Sequence, residues 1–211
     1  MATMAMFPLG AVLLPYMPLR LRVFEERYLM MLSDLVQASQ HTGNGVQFGV
    51  VLIERGAEVG GGDHRFRFGT VAEVVQLGAE DGVVGLTAQG STRVEVTSWL
   101  VDAPHPQAEV RELPDLVWDD SLTPLREETE RLVRRRLAQG TEFSRGGWNP
   151  DVELADDPVQ ACWQLAGIAP VGELDQLTLL RAETMETLLT DVRRLTEESS
   201  VGYSAPWFDE E

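Results

Sequence analysis

Between Leu19 and Val23 the chain alternates strictly. Leu19, Leu21 and Val23 are apolar, and Arg20 and Arg22 between them are charged. A period of two marks a strand with one buried face, so this stretch predicts a β-strand. Pro18 stands at its start, where a missing N–H does least harm. Upstream, Phe7, Leu9, Val12, Leu13 and Leu14 form an apolar run broken by Pro8 and Gly10. It reads as a strand followed by a tight turn bounded by Pro15 and Pro18. Met1 to Met6 is expected to be a short disordered lead-in. At Phe24 the period changes. Phe24, Tyr28, Leu29, Leu32 and Val36 recur at helical spacings and predict an amphipathic helix over Glu25 to Val36.

Gln47 to Ile53 is almost continuously apolar, which predicts a central strand covered on both faces. Glu54 to Asp63 is rich in turn residues. Its Gly60-Gly61-Gly62 run is expected to be a mobile hairpin tip rather than a phosphate cradle, because a strand and not a helix follows. Arg65 to Leu77 is that strand, with Gly69 breaking the alternation and suggesting a bulge. Glu80-Asp81-Gly82 makes a turn. Val83 to Val96 returns antiparallel with bends at Gly85 and Gly90, and Gln107 to Leu113 is a last strand. Short antiparallel strands with glycine bends predict a small closed or partly closed barrel.

From Pro114 the pattern becomes helical. Pro114 to Ser121 is an acidic connector carrying Trp118. Thr123-Pro124 reads as an N-cap followed by Pro at the first helical position. Leu125, Leu132, Val133 and Leu137 form one stripe, flanked by the i,i+4 pairs Glu127/Arg131 and Glu130/Arg134. Gly140 is the predicted end. Arg134-Arg135-Arg136 falls near that end, where positive charge on a solvated face complements the helix dipole. A loop over Thr141 to Glu153 precedes a helix opened by Asp157-Pro158, lined by Val159, Cys162, Trp163 and Ala166, and closed at Gly167. Glu173 to Leu180 is a short helix with Leu174, Leu177 and Leu180 inward. Ala182 to Glu198 is the longest amphipath. The predicted organisation is a barrel subdomain with one helix over 1–113, a connector over 114–123, a helical bundle over 124–198 and a flexible acidic tail over 199–211. The predicted class is α+β.

The 211 residues, 44% hydrophobic, suffice for one core or for a core plus a smaller helical unit. No apolar run reaches the roughly 18 residues of a membrane span, and a cytoplasmic location is expected. A net charge of −17 opposes binding to nucleic acid and to anionic membranes. The chain contains no lysine; all 17 basic residues are arginine. That composition excludes a P-loop, a Ser-Lys hydrolase and lysine Schiff-base chemistry. Cys162 is the single cysteine and is expected to be an inert core thiol. His41, His64 and His105 fall in predicted loops without an HExxH or CxxC pattern, so no zinc ligand set is recognisable. No catalytic residue and no cofactor is predicted.

Five stretches in order carry a resemblance. They are PLGAVLLPYMPLRLRVFEERY, FGVVL at Phe48 to Leu52, FGTVAEVVQL at Phe68 to Leu77, DGVVGLTAQGSTRVEV at Asp81 to Val96, and AEVREL followed by the helical half. Over roughly Phe7 to Glu198 the chain resembles the Lon substrate-binding (N-terminal) domain family, and most of all its stand-alone bacterial members, which carry no ATPase. The resemblance implies a PUA-like antiparallel β-barrel followed by a C-terminal α-helical bundle, with no catalytic residue. It implies a non-catalytic protein- or peptide-binding module acting as an adaptor or regulator of proteolysis. Its partners would be an unfolded client polypeptide and a protease. RNA binding by the PUA-like barrel and an unrecognised hydrolase are the alternatives. An extended client needs apolar area and backbone partners. Tyr16, Met17, Trp99 and Trp118, placed where barrel meets helices, are the candidate peptide-binding residues. The opposing expectation is that these four side chains only close the core.

Overall fold

The computed structural model describes residues 2–55, 64–80, 83–141 and 148–199. The chain divides into two compact units, Met1–Pro114 and Asp115–Glu211. The first contains β1 (Ala2–Leu9), β2 (Pro18–Val23), α1 (Glu26–Thr42), β3 (Gln47–Arg55), β4 (His64–Glu80), β5 (Val83–Trp99) and β6 (Gln107–Glu112). The sheet order is β2-β5-β4-β3-β1-β6, and β6 also pairs with β5. Five strands therefore close into a ring, and β2 hangs on β5 outside it. β1 is the closing piece. Met6 to Leu9 runs parallel to Gly49 to Leu52 of β3, while Ala2 to Ala5 runs antiparallel to β6. Residues 10–46 supply the long crossover that a parallel pair requires.

Two expectations change here. The lead-in expected to be disordered is a strand from Ala2 onward, because Ala2 to Ala5 pairs with β6. Its small side chains show no alternation, and a strand far along the chain fixes it instead. The barrel is also mixed rather than wholly antiparallel, through the single β1–β3 pairing among the described strands.

β5 changes partner along one edge. Val84 to Gln89 pairs with β2, and Val94 to Trp99 pairs with β6. The switch falls at Gly90, onto which the turn before β2 is pressed. A Cβ on Gly90 would lie 2.2 Å from the Leu14 backbone oxygen. The Gly90 N–H donates to Met17 O at 2.9 Å, and the Tyr16 N–H donates to Gly90 O at 2.7 Å. From β4, the Thr70 hydroxyl donates to Leu13 O at 2.6 Å. These bonds hold Tyr16 in the left-handed region, φ 62°, which non-glycine residues seldom adopt. Gly69 also answers to close approach, since its Cβ would sit 2.2 Å from Val50 O. The register shifts in the β4–β5 ladder fall just beyond it, between Thr70 and Ala72 and between Val74 and Gln76.

Met6, Val51, Val71, Val94, Val96, Ala108 and Val110 fill the core of the ring. Next to Met6 on β1, Phe7 stacks on Tyr28 of α1, with centroids 4.0 Å apart and rings 11° from parallel. Such a pair contributes about 0.5–1.5 kcal/mol beyond its buried area. α1 buries Tyr28, Met31 and Leu32 and continues to Thr42, ending where Gly43 takes φ 75°. Phe24, expected on the buried face, precedes the helix and is 60% exposed.

In the second unit a 3-10 turn at Asp120–Leu122 leads into α2 (Thr123–Thr141), followed by α3 (Pro158–Ile168), α4 (Glu173–Leu180) and α5 (Met185–Glu198). α5 touches α2, α3 and α4. It buries Met185, Leu188, Leu189, Val192, Leu195 and Thr196. The Asp157 carboxylate accepts from the Gln160 N–H at 2.9 Å, with Pro158 opening α3. Thr184 accepts from the Thr187 N–H at 3.0 Å, which starts α5 three residues after the expected Ala182. Thr123 is not a cap but the first residue of α2, because the 3-10 turn runs straight into it. α2 passes through Gly140, and α3 ends at Ile168 rather than Gly167.

Leu174 is exposed, whereas Leu177 and Leu180 are buried. Steps of three residues drift around a helix of 3.6 per turn, so Leu174 rotates away from the face made by Gln176, Leu177, Leu179 and Leu180. Two of the three consecutive arginines are not simply solvated. Arg134 donates to Glu130 and to the carbonyls of Pro150 and Val152, and Arg136 donates to Glu197 O. The Gly60-Gly61-Gly62 loop, Asp81-Gly82 of the turn, residues 142–147 of the predicted loop and the tail from Ser200 lie outside the described residues.

Candidate functional site

Tyr16 and Met17 sit side by side in the turn that docks on Gly90. Tyr16 is half-buried, and Met17 is buried. Trp99 ends β5, half-buried against the ring core. The Arg65 guanidinium lies over its ring, 4.8 Å from the centroid, and is bridged to Asp102 at 2.6 Å. A guanidinium held this way stabilises the stack by roughly 0.5–2 kcal/mol. Trp99 lies nine residues along β5 from Gly90, roughly 30 Å at strand rise. Tyr16 and Met17 thus share the turn at Gly90, while Trp99 stands at the far end of β5. Trp118 belongs to the second unit, half-buried, and its indole N–H donates to Asp120 at 2.9 Å.

The strand pattern did not reveal a second feature beside that turn. β2 and the adjoining parts of β5 and β4 form an open concavity of about 670 Å³, lined among others by Arg20, Arg22, Gln76, Gly78, Gly85 and Thr87. The ladder sets these residues in two rows, Arg20–Thr87–Gln76 and Arg22–Gly85–Gly78. Both arginines are exposed. Among the described residues no carboxylate lines the concavity and neither guanidinium has an ion pair. A Cβ at Gly78 would meet nothing within 4 Å, and one at Gly85 only Gly78 O at 4.0 Å. The alternation of Arg20 and Arg22 was visible in the sequence. The register that lays Thr87 and Gly85 beside them was not.

Cys162 is fully buried in α3, and burial pushes its thiol up to about 11, the opposite of an activated nucleophile. His41 and His105 each place Nδ1 against a backbone carbonyl, of Gln37 and Pro106 respectively. Hydrogen bonds from Ser121, side chain first and then backbone N–H, hold the Asp119 carboxyl below its ordinary value at the start of the 3-10 turn. Among the described residues no three His, Cys, Asp or Glu side chains gather to hold a metal ion, and no helix is long and apolar enough to cross a membrane.

A PUA-like barrel joined to a helical unit, offering a free strand edge, an aromatic–guanidinium stack and an arginine-lined concavity, is a scaffold of the binding class. The chain belongs to the ATP-dependent protease La (LON) substrate-binding domain family, with a match over residues 3–198. It is therefore a substrate-binding module by family, and the substrate-binding domain of Lon is non-catalytic. The crystal structure of a Lon N-terminal domain protein from Xanthomonas campestris is 26% identical, with a TM-score of 0.60 over 90% of this chain and 96% of that one. The N-terminal domain of Mycobacterium avium complex Lon protease is 16% identical and shares the fold, with a TM-score of 0.63 over 93% of this chain and 99% of that one. No curated protein matches the chain.

Proposed function

We propose that this chain captures extended or unfolded polypeptide and acts as an adaptor or regulator of proteolysis in the cytoplasm, catalysing no step itself. Its partners are a client polypeptide and a protease. The family match over residues 3–198 carries this reading. Trp99, Trp118 and Tyr16 beside Met17 supply the client contacts, because aromatics offer area at low entropy cost and Met adapts its shape.

The test is fluorescence anisotropy of labelled lysozyme, reduced and capped with an uncharged alkyl group, against the same protein in its native form. The chain is expected to capture the unfolded form only. Trp99→Ala or Trp118→Ala is expected to weaken capture at least fivefold while stability stays within about 1 kcal/mol of wild type. Stability losses of about 3–5 kcal/mol at both positions, with no separate effect on capture, would refute the aromatic contacts. Absence of capture by the wild-type chain would refute the function.

A further inference from the structure

We propose that the outer edge of β2 takes up an acidic client segment as an added strand, with carboxylates at alternate positions set against Arg20 and Arg22. This deepens the reading above and rests on it.

β2 is the end strand of the sheet and pairs only with β5 among the described strands. Its other edge presents main-chain donors and acceptors of the kind an extended peptide satisfies. On one face of this edge stand Arg20 and Arg22, two residues apart, so their side chains point the same way about 7 Å apart. Cross-strand neighbours on one face are where a sheet normally supplies counter-charge. Here the β5 neighbours are Thr87 for Arg20 and Gly85 for Arg22, followed on β4 by Gln76 and Gly78. Among the described residues the sheet therefore gives neither guanidinium a balancing carboxylate on the inner side. The open edge is the remaining flank. An incoming strand with acids at i and i+2 fills both flanking positions and forms charge-assisted hydrogen bonds there. The bare backbone at Gly85 and Gly78 keeps the concavity clear above the sheet.

Three considerations decide the class of occupant. Two arginines are few against the several phosphates a nucleic-acid binder neutralises. Among the described residues no aromatic side chain lines the concavity to stack a base. The main-chain edge of β2 pairs with a peptide backbone and not with a sugar–phosphate one. The overall charge of −17 opposes an acidic ligand at long range. Salt screens that repulsion beyond about 8 Å at physiological ionic strength, while contacts at hydrogen-bond range persist.

The experiment uses the full chain and three labelled twelve-residue peptides of alternating sequence, carrying Glu, Gln or Lys at every second position between Val and Thr, with binding read by anisotropy. The Glu peptide is expected to bind at least tenfold tighter than the Gln peptide. Arg20→Gln with Arg22→Gln should erase that preference, and Arg20→Glu with Arg22→Glu should transfer it to the Lys peptide. All four changes lie on exposed side chains. Gly85→Glu leaves the arginines in place, provides the missing counter-charge from within, and should weaken the Glu peptide several-fold. Equal binding of Glu and Gln peptides would overturn the proposal and leave the arginines as guards against edge-to-edge aggregation. So would binding of single-stranded RNA that exceeds that of the Glu peptide and vanishes in the same variants. If the Glu preference is missing while capped, unfolded lysozyme is still captured, this inference falls and the function stands; if nothing is captured, both fall.

Discussion

β4 and β5 are each 17 residues long, and the two ends of their hairpin lead different lives. Toward the ring they are flanked by β3 and β6, their apolar side chains meet in the core, and backbone oxygens from β3 and from the turn before β2 come within 2.2 Å of where a Cβ would be. Toward the loop between them the same strands are flanked by β2 alone on one side, and their glycines face open space. Gly69 and Gly90 are needed where backbone meets backbone. Gly78 and Gly85 leave a surface bare. One residue type thus serves packing in one region and access in the other, and only the register tells them apart.

The sharpest way to break this comparison is Gly90→Ala or Gly69→Ala. Each places a methyl group against a main-chain oxygen that cannot rotate aside. The expected loss is about 3 kcal/mol or more, at the upper end for overpacking, read from urea unfolding. A loss below about 1 kcal/mol would show that turn and ring separate easily, and the distinction would fail. Next comes Thr70→Val, which keeps the shape but leaves Leu13 O without its buried donor. It is expected to lower stability by about 1–3 kcal/mol in the same titration. The smallest effect belongs to Gly78→Ala and Gly85→Ala. Both should stay within about 0.5 kcal/mol of wild type, with any shift toward greater stability because glycine loses most backbone freedom in a strand. A loss above about 1 kcal/mol at either position would mean that something occupies the space over these glycines.

Local signals were legible where a residue acts on its near neighbours. Asp157-Pro158 opens α3, Glu173 to Leu180 is α4, and the apolar run at Gln47 to Ile53 is the ring strand β3. Signals that depend on distant chain were not. Ala2 to Ala5 looks featureless until β6 stands beside it. Gly69 resembles a bulge residue, yet its role is set by Val50 O on another strand. The candidate site divides in the same way. Tyr16, Met17, Trp99 and Trp118 stand out by residue type alone. Arg20 and Arg22 stood out only as the polar half of an alternation, because their lack of counter-charge is a property of Thr87 and Gly85 across the ladder.

The closure of the ring through β1 also sets a clock on synthesis. β1 leaves the ribosome roughly a hundred residues before β6, the strand that must hold its first half. At about 5–20 residues per second, that interval lasts roughly 5–20 s. Throughout it the first half of β1, Ala2 to Ala5, lacks its partner strand, so the newborn chain is itself for a time an incompletely folded polypeptide of the kind its mature form is proposed to capture. Force-sensitive translational arrest should report the release of this segment only once β6 has cleared the exit tunnel.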